Sequence, residues 1–150
     1  INALGRACND GTDATVTAVE LDPDKAPRLR EFVGSASQIT KRLVMRDFLT
    51  CRPDGADGLG YFDRIMMNPP FARGQDMEHV RHAYDFLAGG GRLVSVMSPA
   101  FEYVSNRRAR DFRDWLAELG AAVNYYPLPD GSFISSKTNV RTVLMKVRKR

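Results

Sequence analysis

The sequence predicts an α/β fold in which a mostly parallel sheet carries helices on both faces and ends in an antiparallel hairpin. Short apolar segments, such as residues 14–21 and 92–98, alternate with longer stretches whose apolar residues recur every third or fourth position. Ile65, Met66 and Met67 are consecutive apolar residues, which is typical of a strand buried on both faces. Residues 127–140 join the last two predicted strands without a helix, so these strands are expected to pair antiparallel.

The chain is predicted to form one domain over residues 1–150, with 43% hydrophobic residues for its core. Leu4 and the small residues around it predict an opening helix at 1–8, which ends at a turn containing Gly11. Asp22 as N-cap and Pro23 as first helical residue begin a second helix. The later elements are predicted as strands at 41–49 and 62–67, a helix at 77–87 stopped by glycines 89–91, a strand at 92–98, a helix from 99 to 119, and strands at 121–126 and 138–147.

The charge balance favours an anionic partner. The net charge is +4 and the sequence pI is about 9.3, a balance for which nucleic acid is a natural partner. A solvated helix face and a C-terminal tail account equally well for these cations, which concentrate at Arg107, Arg108, Arg110, Arg113, Lys146, Arg148, Lys149 and Arg150.

The remaining composition suggests a reduced, metal-free protein of the cytoplasm. Cys8 and Cys51 have no partner spacing for a zinc site and are predicted to be reduced thiols. His79 and His82 lie one helical turn apart without a metal-binding motif, so we expect both on a helix surface. The sequence has neither a signal peptide nor a long apolar run, which gives no indication of export or a membrane.

The predicted central strand ends in a stiff corner at residues 68–71, with the sequence Asn-Pro-Pro-Phe. Each proline fixes its own φ and moves the preceding residue out of the α region, so the carbonyls of Asn68 and Pro69 are held in defined directions. The Asn68 side chain adds an acceptor, and Phe71 adds a flat apolar face. This set of groups suits a planar substrate that carries an amino group: Asn68 and Pro69 accept its two N–H bonds, while Phe71 stacks on the ring. Such bonds stabilise positive charge that develops on the nitrogen as it attacks an electrophile.

At this corner the chain resembles the class I S-adenosylmethionine-dependent methyltransferases that act on amino nitrogens. Their signature, Asn/Asp-Pro-Pro-aromatic at the end of the fourth strand, is matched by Asn68, Pro69, Pro70 and Phe71, and Phe62 and Asp63 match the frequent lead-in. The resemblance implies a Rossmann-like fold, S-adenosylmethionine as cofactor and these four residues around the substrate amine, with Asn68 also beside the cofactor.

Two further acids match cofactor positions of this family. Glu20, followed by Leu21-Asp22-Pro23, resembles the acid at the end of the second strand that binds the cofactor ribose, a place where nucleoside-binding folds put a carboxylate. We expect Glu20 to be an exposed strand-tip acid with little packing role. Asp47 and Phe48 resemble the pair that hydrogen-bonds the adenine amine and packs on its ring, although an Asp-initiated turn explains Asp47 too.

The sequence departs from the family pattern at its start and leaves one motif without a defined role. The family's first strand and its glycine-rich turn, which wraps the methionine part of the cofactor, have no counterpart before the predicted helix at 1–8. The domain therefore looks truncated at its N-terminal end, and we expect an additional segment, domain or partner chain to supply the missing strand. The phrase Gly-x-Phe-x-x-Ser-x-Thr-x-Val at residues 131–140 resembles a segment that lies near the target pocket in adenine-type enzymes.

The favoured hypothesis is methyl transfer from S-adenosylmethionine to an exocyclic amine, with adenine N6 in DNA as the substrate. Methylation of guanine N2 in ribosomal RNA, or of a protein glutamine, uses the same corner. A hypothesis of another class is a nucleic-acid-binding module that has lost cofactor binding, which the absent glycine-rich turn favours.

Overall fold

A computed structural model describes residues 3–9, 13–34, 40–129 and 141–150. Its strands are β1 (Ala3–Asn9), β2 (Asp13–Glu20), β3 (Thr40–Met45), β4 (Phe62–Met67), β5 (Leu87–Met97), β6 (Val123–Pro127) and β7 (Val143–Arg148). Its α-helices are α1 (Ala26–Gly34), α2 (Gln75–Asp85), α3 (Ala100–Tyr103) and α4 (Arg107–Leu119).

The described strands form one mixed sheet in the order β3-β2-β1-β4-β5-β7-β6. β2 pairs parallel with β3, and β4 pairs parallel with β5. β1 lies between β2 and β4 and is antiparallel to both, so β2, β3, β4 and β5 all end at the same edge, called here the carboxyl edge. The predicted α/β class and the antiparallel pairing of β6 with β7 are confirmed.

The predicted helix at 1–8 is wrong, because Ala3–Asn9 is strand β1. A helix of this length is marginal by itself, and Gly5 weakens it further. As a strand, the same segment satisfies the backbone groups of two neighbours, since Leu4 pairs with Ala18 on one side and with Met66 on the other. The central position that was expected to be vacant is therefore filled by this chain, although in the direction opposite to its neighbours.

The main core lies between the sheet and helices α2 and α4. Ile65, Leu93 and Met145 are buried on the face of the sheet that also receives Val80 and Phe112 from the two helices. On the other face α1 packs beside β3, and Val16 and Ala18 of β2 are buried there. This agrees with the handedness of the connections: a right-handed crossover from β2 to β3 and one from β4 to β5 run in opposite directions and place their helices on opposite faces.

The structure corrects several details of the predicted elements. Met66 is 60% exposed, so β4 is buried on one face only, because no described helix covers its other face. β5 begins at Leu87 and includes glycines 89–91, so the predicted role of these glycines as the end of the preceding helix is wrong. The helix predicted from 99 to 119 is divided into α3 and α4. The motif at 131–140 lies outside the described residues.

Candidate functional site

The 68–71 corner directly follows β4 at the carboxyl edge. Asn68 and Pro70 are exposed, Phe71 is half-buried, and Pro69 is buried. Asn68 is thus accessible to solvent, while Pro69 anchors the segment to the protein. The binding of a substrate amine at this corner stays a prediction.

The backbone after the corner is held in an uncommon conformation. Arg73 (φ 55°) and Gly74 (φ 71°) are both left-handed, and Gly74 N donates to Phe71 O at 3.1 Å. A left-handed arginine is unfavourable by about 1–2 kcal/mol. Arg108 of α4 offsets this cost because its Nη1 donates to Arg73 O at 2.6 Å. One of the clustered arginines therefore ties α4 to the corner rather than only solvating a helix face.

Glu20 ends β2 at the carboxyl edge and is almost completely buried, at 1% exposed, which corrects the expectation of an exposed acid. Its Oε1 accepts from Leu21 N at 2.9 Å and from Asp22 N at 3.0 Å. Burial on its own raises the pKa of Glu20, but the hydrogen bonds that its carboxylate accepts and the positive charges near it, to which Asp22 N and Lys25 contribute, together lower the pKa. Glu20 is thus ionised at neutral pH and organises the turn that follows β2.

Asp47 and Phe48 follow β3 at the same edge. Asp47 Oδ1 accepts from Leu49 N at 3.0 Å and caps the short 3₁₀ turn Phe48–Thr50, so the turn-forming role foreseen for Asp47 is present. A carboxylate has further acceptor capacity, which leaves Asp47 able to bind a donor as well. The ring of Phe48 is buried at 3% exposed, and it contacts His82 and Phe86.

The fold brings the predicted site residues to one edge in two groups. Glu20 and Asp47 are adjacent because β2 and β3 pair directly, with Arg46 N donating to Glu20 O at 3.1 Å. Asn68 is separated from Glu20 by β1, a spacing of two strands or about 10 Å. That separation is compatible with a nucleoside bound at Glu20 and an acceptor amine bound at Asn68.

Asp76 is a residue of this region that the sequence analysis did not single out. It lies in the first turn of α2, is 1% exposed, and its Oδ2 accepts from Ser98 N at 3.0 Å just after β5. Its Oδ1 is buried and has no hydrogen-bond partner among the described residues, and burial raises the pKa of Asp76. Asp76 therefore fixes the start of α2 to the carboxyl end of β5. In the sequence, Asp76 can be recognised as an acid in the first turn of the helix that follows the corner.

The sequence predicted His79 and His82 on a helix surface, and the structure corrects this prediction. His79 is 4% exposed, and its Nδ1 lies 2.8 Å from Gln75 O. His82 is half-buried, and its Nε2 donates to Phe48 O at 3.0 Å. Both rings pack near Phe48, so they connect α2 to the turn that carries Asp47. The apolar stripe of α2 gave no indication of this contact, because the contact joins His82 to Phe48, 34 positions away in the sequence.

An open cleft of about 860 Å³ lies near the carboxyl ends of β5 and β6. Its walls include Glu102 and two exposed aromatic side chains, Tyr103 (71% exposed) and Tyr125 (43% exposed). Burial and the nearby charge of Glu102 raise the pKa of Tyr125, which keeps its hydroxyl protonated at neutral pH. Flat aromatic faces next to a carboxylate suit a planar ligand with hydrogen-bond donors.

The fold is shared with known methyltransferases. N-methyltransferase NodS from Bradyrhizobium japonicum WM9 superimposes with a TM-score of 0.55 and 19% identity over 89% of this chain and 72% of that one. A modification subunit of a putative type I restriction enzyme from Vibrio vulnificus YJ016 gives a TM-score of 0.68 with 16% identity over 89% of this chain. The EcoKI M protein, also of a type I restriction enzyme, gives 0.60 with 22% identity over 87% of this chain. The chain has the methyltransferase fold and spans about a third of the two restriction-enzyme proteins, 32% and 30%.

No protein-family model and no curated protein sequence matches the chain. Within the described ranges, no helix is long and apolar enough to cross a membrane. The same residues contain no group of three or more His, Cys, Asp or Glu side chains that could hold a metal ion.

Proposed function

We propose that this chain transfers a methyl group from S-adenosylmethionine to an exocyclic amino nitrogen, with adenine N6 in DNA as the substrate. The observation that carries the proposal is the exposed Asn68 amide, on a corner fixed by two prolines, at the same edge as Glu20 and Asp47 of a methyltransferase-like sheet. The neighbouring structures support methyl transfer through their shared fold.

The described residues fit the nucleoside half of the cofactor. Glu20 is a buried, ionised carboxylate at a strand end and would accept hydrogen bonds from ribose hydroxyls. Asp47 would accept from the adenine amine, and Phe48 would support that position from the core behind it. The methionine half has no equivalent support among the described residues, because β1 is antiparallel and no βα turn follows it at the carboxyl edge.

The corner residues would bind and activate the acceptor. Bound S-adenosylmethionine supplies an electrophilic methyl group on a sulfonium. Asn68 Oδ1 and the Pro69 carbonyl would accept the two amine hydrogens, Phe71 would stack on the ring, and Pro70 would keep the carbonyl direction fixed. These acceptors would stabilise the positive charge that develops on the nitrogen as its lone pair bonds to the methyl carbon and the methyl–sulfur bond breaks, and the extra proton would then leave to solvent. No strong base is needed, because the proton is lost after the bond has formed.

Two observations favour a nucleobase over a protein side chain as the acceptor. Tyr103 and Tyr125 offer stacking surfaces in the cleft at the carboxyl ends of β5 and β6, on the same edge of the sheet as the corner, and bases that neighbour an extruded adenine could stack there. The net charge of +4 favours a polyanion over a neutral glutamine peptide.

A labelled-methyl transfer experiment tests the proposal. The protein is incubated with S-adenosylmethionine labelled in its methyl group and, in parallel, with adenine-containing DNA, ribosomal RNA or a glutamine peptide, followed by analysis of the products. We expect label in N6-methyladenine. Label in guanine N2 or glutamine would retain the enzyme and replace the substrate, whereas DNA binding without transfer to any acceptor would favour the non-catalytic module.

A further inference from the structure

Two exposed side chains of the short helix α3, Glu102 and Tyr103, line the cleft at the carboxyl ends of β5 and β6. Tyr125 of β6 lines the same cleft and is also exposed. Glu102 forms no ion pair within the described part of the chain. Its carboxylate oxygens are therefore available to accept hydrogen bonds from a ligand that lies against the two rings.

The N-terminal side of α3 is fixed by a buried carboxylate of α2. Asp76 Oδ2 accepts from Ser98 N at 3.0 Å, and Ser98 Oγ accepts from Ala100 N at 3.2 Å, at the first residue of α3. Asp76 is almost fully buried, and a buried carboxylate is costly to keep in a core. Since an apolar contact would hold the core at lower cost, the carboxylate defines the direction of the turn that leads into α3.

The C-terminal side of α3 is held by Arg113 of α4. Its Nη1 donates to Phe101 O at 2.7 Å and to Val104 O at 2.9 Å. A helix of four residues has too few internal hydrogen bonds to be stable by itself, so its last carbonyls need such a donor. The buried Phe101 also packs on Phe112 and Tyr125, with ring centroids 5.7 and 5.5 Å apart. The cleft wall formed by α3 is thus fixed by contacts with α2, α4 and β6.

The cleft lies at the carboxyl edge, which is also the edge of the 68–71 corner. Ligands of open α/β sheets bind outside the carboxyl ends of the strands. A polynucleotide whose adenine occupies the corner would therefore bring neighbouring bases to this edge. Aromatic rings stack on any base, but a carboxylate acceptor favours bases that carry an amino group, which are adenine, cytosine and guanine.

We propose that this cleft is a subsite for a nucleobase next to the methylated adenine, in which Glu102 selects a base with an amino group and Tyr103 and Tyr125 stack on its ring. Arg113 is the positioning residue of the subsite, because it holds α3 through two carbonyls. The inference rests on the proposed function, which supplies nucleic acid as the ligand. Thymine and uracil are disfavoured, because their one ring N–H lies between two carbonyl oxygens that the carboxylate repels.

Short single strands of deoxycytidine and of deoxyuridine test the subsite without methyl transfer. Their backbones are identical, and cytosine carries an amino group where uracil carries a carbonyl oxygen. Fluorescence anisotropy measures the affinity for each strand, and two-dimensional NMR of ¹⁵N-labelled protein locates the bound strand. We expect the deoxycytidine strand to bind at least about tenfold more tightly, with amide shifts at Glu102, Tyr103 and Tyr125.

Variants of the cleft separate selection from stacking. Glu102→Gln offers a donor as well as an acceptor and should lose most of the preference for deoxycytidine. Tyr103→Ala should weaken the binding of both strands by about tenfold, because it removes a stacking surface.

Arg113 is tested through its dependence on Tyr103. Arg113→Ala should weaken binding about as much as Tyr103→Ala, and Arg113→Lys, which keeps a donor, should restore part of the affinity. Adding Arg113→Ala to Tyr103→Ala should have little further effect, since Arg113 acts through α3. Arg110→Ala, on the exposed side of the same helix, is the matched control and should bind as the wild type does.

Equal binding of the two strands, shifts outside the cleft, or no saturable binding below about 1 mM would overturn the subsite. An effect of Arg113→Ala that is as large in the Tyr103→Ala background as in the wild type would show that Arg113 stabilises the fold only. The proposed function fails separately, through the absence of labelled product in the methyl-transfer experiment, which these binding measurements do not use.

Discussion

Asn68 is the residue whose proposed role is most specific, because its side chain is exposed beside a buried proline. Asn68→Ala removes one preorganised acceptor for the amine and should reduce the methyl-transfer rate about a hundredfold, or about 3 kcal/mol. Cofactor affinity should change little, since the two acids proposed for the cofactor lie at the end of β2 and after the end of β3. Asn124→Ala on β6, which is also exposed, is the matched control. Wild-type turnover by Asn68→Ala would remove Asn68 from the reaction.

Two substitutions are needed to test the role of Glu20, because its burial gives it a structural role besides the proposed binding of the cofactor. Glu20→Ala leaves the amides of Leu21 and Asp22 without their acceptor and should lower the free energy of unfolding by about 1–3 kcal/mol. Glu20→Gln retains one side-chain oxygen and should preserve more of the fold, while weakening S-adenosylmethionine binding by about 1.5–3 kcal/mol. Calorimetric titration and thermal melting separate the two effects. Unchanged affinity in a folded Glu20→Gln variant would limit Glu20 to shaping its turn.

At the scale of elements, α4 positions the corner through Arg108. Arg108→Ala removes the hydrogen bond to Arg73 O and should loosen the left-handed pair at 73 and 74. Arg108 is partly exposed, so the loss of stability should be only about 1 kcal/mol or less, while misplacement of the corner should slow methyl transfer about tenfold. Arg110→Ala on the same helix is the control. Equal rates for the two variants would show that the corner holds its shape without Arg108.

The contact between α2 and the turn Phe48–Thr50 should depend on pH. Desolvation lowers the pKa of His82, although the Phe48 carbonyl acts in the other direction. The unfolded chain, with a histidine pKa of about 6.5, then binds more protons than the folded one, so His82 reduces stability as pH falls below about 6.5. As pH falls from about 7 to 5, the free energy of unfolding of the wild type should therefore decrease more than that of His82→Gln. A constant difference over that range would contradict the assigned contact.

The elements that sequence predicted well are those fixed by local patterns. The strand before the corner, the cap at Asp22 and the pairing of the last two strands follow from prolines, apolar periodicity and the lack of an intervening helix. Ala3–Asn9 was predicted wrongly because its strand conformation depends on pairing with residues more than fifty positions away. The burial of Glu20, Asp76 and His79 also depends on which elements cover them, and no local pattern reports that.

At the scale of the whole molecule, the residues that we propose for cofactor and acceptor lie at one edge of the sheet. Glu20, Asp47 and Asn68 are at the carboxyl edge, with β1 between the strands that carry Glu20 and Asn68. Because β1 completes the sheet between β2 and β4, the two groups belong to one continuous sheet.

The central claim is that the carboxyl edge is the cofactor site. A titration of ¹⁵N-labelled protein with S-adenosylhomocysteine, followed by two-dimensional NMR, tests it most directly. Saturable shifts are expected at the amides of Leu21, Asp22 and Leu49 and at the side-chain amide of Asn68, with none at Arg92 or Lys146 on the opposite half of the sheet. Shifts confined to other surfaces, or no shifts at saturating ligand, would contradict the claim.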